Sequence, residues 1–401
     1  MKILITAPRL NALAVGEAYT ATMLLREVSK LADVTVLAFE TRRGPPLAEQ
    51  LPECTVVTFD EPNWTRINER LSSMLKISLF VFNGHVRRWM QAHGAEYDLA
   101  HHILPRAPRY PTPLRKGRVP YVIGSLGGAL PTPAAFAPEA QGAQWFTRLR
   151  ALDGLRFRYD PWLRASYTGA ELVMGVAPYM RDVLADVPLR RFEPFLGIGV
   201  ADLEPETVRD TPAGQLKMLH VGRAVRTKGL RDVVRALSHL KDHPEVTLTS
   251  IGDGEELEAC RAEAEALGVA DRVSFLGRLP RAQIEDHYKA ADALVYPSFR
   301  ESMGAVLYEA MRWSLPVVTV RAGGPDYIID DTCGLKVDVT TPQQMPQDLA
   351  RCITTLAADP ALRQRLGQAG RAKLAAEALW PLKAQKLMQI YQDTLADASR
   401  R

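Results

Sequence analysis

The chain is predicted to be an α/β protein built from two doubly wound parallel sheets. Short apolar, β-branched runs alternate with helical patterns along most of its length. The alternation is interrupted once, between Glu193 and Gly214, where Pro194, Gly197, Gly199, Pro205, Pro212 and Gly214 leave no room for a regular element, and then restarts. Neither half shows the evenly spaced short strands of an all-β fold.

The first half opens with a strand at Lys2–Thr6, a loop containing Gly16, a helix through Met23, Leu24, Leu25 and Val28, and a second strand at Val34–Leu37. Further strands are expected at Thr55–Val57, Leu99–His102, Tyr121–Ile123 and Leu172–Met174. The second half repeats the scheme at Lys217–Val221, Val246–Ile251, Val273–Phe275, Ala293–Tyr296 and Pro316–Thr319. This predicts a first domain over 1–197, a linker over 198–215, a second domain over 216–378, and a final helix over 379–401 that returns to the first domain, with a cleft between the two sheets.

A chain of 401 residues, 47% hydrophobic and 24% charged, has material for two cores. Its four cysteines are scattered without a CxxC pair, no apolar leader precedes a cleavage site, and no apolar run approaches the roughly 20 residues that span a bilayer. The reading is a cytosolic protein, without zinc, whose membrane contact is peripheral at most. Residues 1–197 hold 24 Lys and Arg against 18 Asp and Glu, and the remainder 26 against 28. An anionic partner therefore suits the first half.

Ligands of open parallel sheets bind beyond the carboxyl ends of the strands, so the loops after the second-half strands are read together. Gly222, Arg223 and Lys228 follow the first, with the two cations placed to clamp a diphosphate. Gly252 and Gly254 follow the second, where small residues permit close approach of a base or phosphate or simply make a turn. Leu279 lies in the third loop, whose backbone is suited to reading a nucleobase edge. The fourth carries Glu301 and Glu309. With a helix starting near Ser302, Glu301 would sit at its positive end and Glu309 about two turns on, on nearly the same face. Two carboxylates gripping vicinal hydroxyls, with the N–H groups of Ser302, Met303 and Gly304 open to an anion, suit a sugar nucleotide.

The ordered set VGR-x(4)-KGL, GDG-x-x-L, V-x-F-L-G, YPS-x(2)-E-x(7)-EA and a buried strand followed by GG, over residues 217–337, resembles the retaining nucleotide-sugar glycosyltransferases of family 4, which adopt the GT-B fold of two Rossmann-like domains. The resemblance implies that Arg223 and Lys228 bind the donor diphosphate and that Glu309 holds the ribose hydroxyls. It implies that Glu301 contacts the transferred sugar with help from the N–H groups of Ser302 to Gly304. The Gly16 loop would close over the diphosphate.

Many members carry a histidine after a first-domain strand where this chain has Leu126, followed by Gly127 and Gly128. His101 and His102 offer an alternative on the acceptor side, strand alternation sending one inward and one outward. The implied chemistry needs no metal and no cofactor beyond a UDP- or GDP-sugar donor, the cations replacing a metal-holding DxD pair. A nucleotide-sugar epimerase or hydrolase, or a non-catalytic sugar-nucleotide binder, would share the donor residues.

Two basic-aromatic stretches bear on the acceptor. One, Trp64 to His93, reads as a helix with Leu71, Met74, Leu75, Leu79, Phe80 and Phe82 apolar among arginines. The other runs from Trp145 to Arg164. Such stretches either lie on an anionic membrane or pack an apolar stripe on the sheet and show arginine to water. A nucleic-acid partner is not expected, because the charge is modest and no binding motif is present.

Overall fold

The computed structural model describes residues 1–42, 44–63, 77–139, 153–207 and 209–400. They form two compact units, each built on a wholly parallel sheet. This is the GT-B architecture.

The sheet of the first unit contains β1 (Lys2–Thr6), β2 (Asp33–Phe39), β3 (Thr55–Phe59), β4 (Leu99–His102), β5 (Tyr121–Leu126), β6 (Leu172–Gly175) and β7 (Phe192–Pro194), in the order β3-β2-β1-β4-β5-β6-β7. Strand order reverses between β1 and β4, which places the loops that follow them at the switch point. Strand β7 runs into the start of the stretch expected to be irregular. Pro194 is tolerated there because β7 is an edge strand, where one missing N–H costs no ladder bond on the open side.

The two units do not follow the chain order strictly. The described residues 130–139 leave the first unit and pack with the second, although the 1–197 segment was expected to be one body. Phe136, wholly buried, belongs to the second core. A three-residue 3₁₀ turn between prolines has no periodicity for a sequence reading to detect. The last helix, Trp380–Ser399, lies in the first unit, where Trp380, Leu387, Ile390 and Tyr391 enter its core beside the Glu17–Val28 helix.

Of the expected 64–93 helix, residues 64–76 lie outside the described residues, with Leu71, Met74 and Leu75 among them. The Ile77–His93 part buries Leu79, Phe82, Val86 and Met90, and Phe82 meets Phe39 edge-on at 5.2 Å. Its apolar stripe therefore faces the protein, and Phe80 alone of the named apolar residues in this part points outward, 66% exposed.

The second unit carries β8 (Leu216–Val221), β9 (Val246–Ile251), β10 (Val273–Gly277), β11 (Ala293–Val295), β12 (Val317–Val320) and β13 (Gly334–Val337), in the order β10-β9-β8-β11-β12-β13. Here the order reverses between β8 and β11. No helix of the described residues is long and apolar enough to cross a membrane.

Candidate active site

The two loops that flank the β8/β11 switch point carry the residues expected to hold a donor. After β8 the chain makes the single turn Arg226–Lys228 and enters the Leu230–Ser238 helix through Gly229 at φ 77°. A Cβ on Gly229 would stand 2.4 Å from the Pro297 carbonyl oxygen, so glycine is what lets this loop press against the one after β11. Ser298 Oγ donates to the Thr227 carbonyl at 3.1 Å and reinforces the contact.

The outcome is a compact polar cluster. Lys228 Nζ is ion-paired with Glu301 Oε2, the Tyr296 hydroxyl donates to the same oxygen at 2.9 Å, and the Met303 N–H donates to Oε1 at 3.2 Å. Burial alone would raise the Glu301 carboxyl. The Lys228 ammonium and the two other donors outweigh it and hold the group below its usual range. Arg223 projects as an exposed side chain from the same loop. His220, wholly buried on β8, donates from Nε2 to the Lys228 carbonyl at 3.2 Å. Burial lowers its pKa to about 4, so the ring is neutral.

Glu301 and Glu309 do not share a helical face as expected. The helix runs Ala305–Arg312, with Gly304 left-handed at its N-cap, φ 71°. Glu301 lies in the preceding turn and Glu309 in the second turn of the helix. The helix starts three residues later than expected because residues 301–304 form a tight turn, in which Glu301 accepts from the Met303 N–H. The Met303 N–H is thus engaged by a side chain of its own turn rather than open to an anion. Glu309 Oε2 accepts from the Tyr288 hydroxyl at 2.9 Å. Burial pushes the Glu309 carboxyl up, and the Tyr288 hydrogen bond and the charges of Arg281 and Arg312 offset that only in part.

Gly252 and Gly254 serve loop-to-loop packing. A Cβ on Gly252, at φ 135°, would lie 1.8 Å from the Gly222 carbonyl oxygen, and one on Gly254 2.3 Å from that of Ala224. The Ala224 N–H donates to the Asp253 carbonyl at 3.0 Å, and the Gly252 N–H to that of Gly277 at 2.8 Å. The close approach these glycines permit is that of the Gly222–Ala224 backbone. Leu279, half-buried, stands just beyond Gly277.

In the first unit, Gly16 caps the Glu17–Val28 helix at φ 75° with open space around its Cβ position. His101 and His102 are both buried, because the central strand β4 is covered on both faces rather than one. His101 donates from Nε2 to the Gly124 carbonyl at 2.7 Å and its Nδ1 accepts from the Tyr391 hydroxyl at 2.6 Å. His102 Nδ1 meets Thr6 Oγ1 at 3.0 Å. Burial lowers their pKa values to about 4 and about 3. His101 has both nitrogens engaged inside the core, the arrangement of a structural histidine. Leu126 is buried, Gly127 donates its N–H to the Arg106 carbonyl, and the Gly128 carbonyl accepts from the Tyr179 hydroxyl at 3.2 Å.

Sequence reasoning passed over Tyr288, Tyr296 and His220, which orient the two glutamates and Lys228. Tyr296 stands two residues before Ser298 in the quoted motif and was open to detection; Tyr288 is brought to Glu309 only by packing of the Arg281–Ala290 helix.

Residues 206–373 match the family described as "Glycosyl transferases group 1". A lipopolysaccharide core biosynthesis glycosyltransferase, LpsE of Rhizobium meliloti, is 31% identical over 204 residues, 51% of this chain and 57% of that one. The chain spans about half the length of the curated relatives it matches. Among solved structures, sucrose-phosphate synthase of Thermosynechococcus elongatus superposes with TM-score 0.66 at 22% identity, over 99% of both chains. Anabaena HepE in complex with UDP superposes with TM-score 0.64 at 18% identity, over 98% of this chain and all of that one.

Proposed function

We propose that this protein is a retaining, metal-independent glycosyltransferase that moves a hexose-like sugar from a UDP- or GDP-sugar to an acceptor hydroxyl. The observation that carries this reading is the Lys228–Glu301 pair at the β8/β11 switch point, with Arg223 on the same loop as Lys228 and Glu309 in the helix that directly follows Glu301. A diphosphate arriving there competes with Glu301 for Lys228. Exchange of one anion for the other leaves Lys228 on the leaving phosphates and releases Glu301 to accept from hydroxyls of the sugar. The two cations then stabilise the charge that grows on the departing diphosphate, the term that contributes most in such transfers. Glu309 accepts from the ribose hydroxyls. The UDP seen in HepE supports a nucleoside diphosphate as the ligand class.

The acceptor side is proposed to lie near an anionic membrane surface at the cytoplasmic face. Leu155, Tyr159 and Trp162, 56%, 65% and 68% exposed, stand on two consecutive short helices of the first unit, with Arg158 over the Tyr159 ring. Sedimentation with anionic and with neutral vesicles tests this; equal recovery in both supernatants, or no change in Trp162→Ser, removes it.

The transferase reading is tested by a thermal-shift panel of UDP, GDP, ADP, their sugars and NAD on the wild type and Glu309→Ala, followed by NMR of the product's anomeric proton. Stabilisation by one nucleoside diphosphate, lost in the variant, is the expected result. Donor consumption without any acceptor would replace it with a hydrolase or epimerase. Binding without turnover would leave a sugar-nucleotide binder.

A further inference from the structure

We infer that Glu139 is a positioning residue for the Lys228–Glu301 pair, acting through Arg226 and the Phe136–Phe299 stack; its catalytic consequence rests on the transferase reading above. The described residues 130–139 form a strap across the second unit, and the strap touches the chain immediately before each member of the pair. Arg226 begins the single turn that ends in Lys228. It is 4% exposed, grips both oxygens of Asp232 at 2.6 and 2.9 Å, and donates from Nε to Glu139 Oε2 at 2.8 Å. Its guanidinium lies 5.1 Å from the Phe136 ring and 5.4 Å from the Phe299 ring, which are themselves 4.5 Å apart. Phe299 and Arg300 directly precede Glu301. Arg300 donates from Nε to the Leu130 carbonyl at 2.9 Å and from Nη1 to Thr132 Oγ1 at 3.4 Å.

Both loops of the pair are therefore held by one strap, and Glu139 is its charged anchor. Glu139 lies between two cations, since Arg235 also reaches its carboxylate at 3.0 and 3.1 Å. Remove its charge and Arg226 and Arg235 face each other with one fewer anion between them. A buried cation that loses one of its anions is left undercompensated, and Arg226 shares its single turn with Lys228, so any shift of Arg226 is passed to it. A small displacement of a catalytic group is enough to depress turnover, since about 1 Å can cost about 100-fold.

The test uses the full chain with Glu139→Gln, Glu139→Asp and Phe136→Leu. For Glu139→Gln we expect kcat to fall by about 10- to 100-fold and the Kd for the nucleoside diphosphate, which keeps Arg223 but loses part of its Lys228 contact, to rise by clearly less than kcat falls, and Glu139→Asp to recover most of both losses. A folded Glu139→Gln with wild-type kcat overturns the inference, as does a loss carried equally by the Kd, which would mark a general structural role. Should Glu139→Gln not fold, Phe136→Leu keeps every charge, thins the stack and is read in the same way. If the wild type turns over no donor, the transferase reading fails by itself. Crystal structures of wild type and Glu139→Gln then decide the positioning claim: a Lys228–Glu301 separation that opens beyond 4 Å in the variant upholds it, and an unchanged pair overturns it.

Discussion

Lys228 and Glu301, 73 residues apart in the chain, meet as a half-buried ion pair whose carboxylate is also held by Tyr296 and by the Met303 N–H. Removing Lys228 would take away the cation that does most to hold the Glu301 carboxyl below its usual range.

Lys228→Ala and Glu301→Gln should each lower kcat, by about 100-fold for Lys228→Ala if the lysine carries the charge of the leaving diphosphate. Glu301→Gln should change kcat more than donor KM. Steady-state kinetics with the donor identified by the thermal-shift panel checks both; a pair of variants with wild-type constants would remove these residues from the reaction.

Acid should act on the two glutamates in sequence. The Glu309 carboxyl sits above its ordinary value, so on lowering the pH it protonates first and nucleoside diphosphate binding should weaken there. Glu301 lies below its ordinary value; the stability its pairing contributes is present above the unfolded carboxylate range and is lost only as pH falls through the depressed value. Isothermal titration between pH 5 and 8 checks the first step, and Glu309→Gln should flatten the profile.

Tyr288→Phe should leave Glu309 in place with one acceptor position unfilled, at a cost of about 1 to 3 kcal/mol, while raising its pKa further. Denaturant unfolding measures the first, and a shift of the binding profile to higher pH the second.

His101 should make the first unit sensitive to acid. Its pKa is lowered to about 4 by burial, so the unfolded chain takes up the proton first, and stability falls as pH drops from about 6.5 toward 4, by up to about 3 kcal/mol from this residue. His101→Gln should cost stability at pH 7 yet reduce its loss between pH 7 and 5, measured by urea unfolding at both.

Gly252→Ala should displace the Gly222–Ala224 loop and destabilise the second unit by about 2 to 3 kcal/mol, because the added carbon would lie 1.8 Å from a carbonyl oxygen. Thermal unfolding and donor KM should both change.

The sequence by itself determined the two parallel sheets and the set of loops at the carboxyl ends of their strands. Buried parallel strands such as Ala293–Val295 read as short apolar runs, and the loops at their carboxyl ends must share one edge whatever the details between them. It also singled out Lys228, Glu301 and Glu309, since charged residues at those strand ends are conspicuous. What only the tertiary structure decided is what each group rests against. The partners Tyr288 for Glu309, Tyr391 for His101 and Glu139 for Arg226 lie 21, 290 and 87 residues away, and no local periodicity encodes such pairings. The same holds for Gly252, whose turn-forming character was legible, while the backbone it makes room for belongs to another loop. Local propensity and hydrophobic pattern act within a few residues, whereas these choices follow from close packing between elements that the chain brings together only once both are formed.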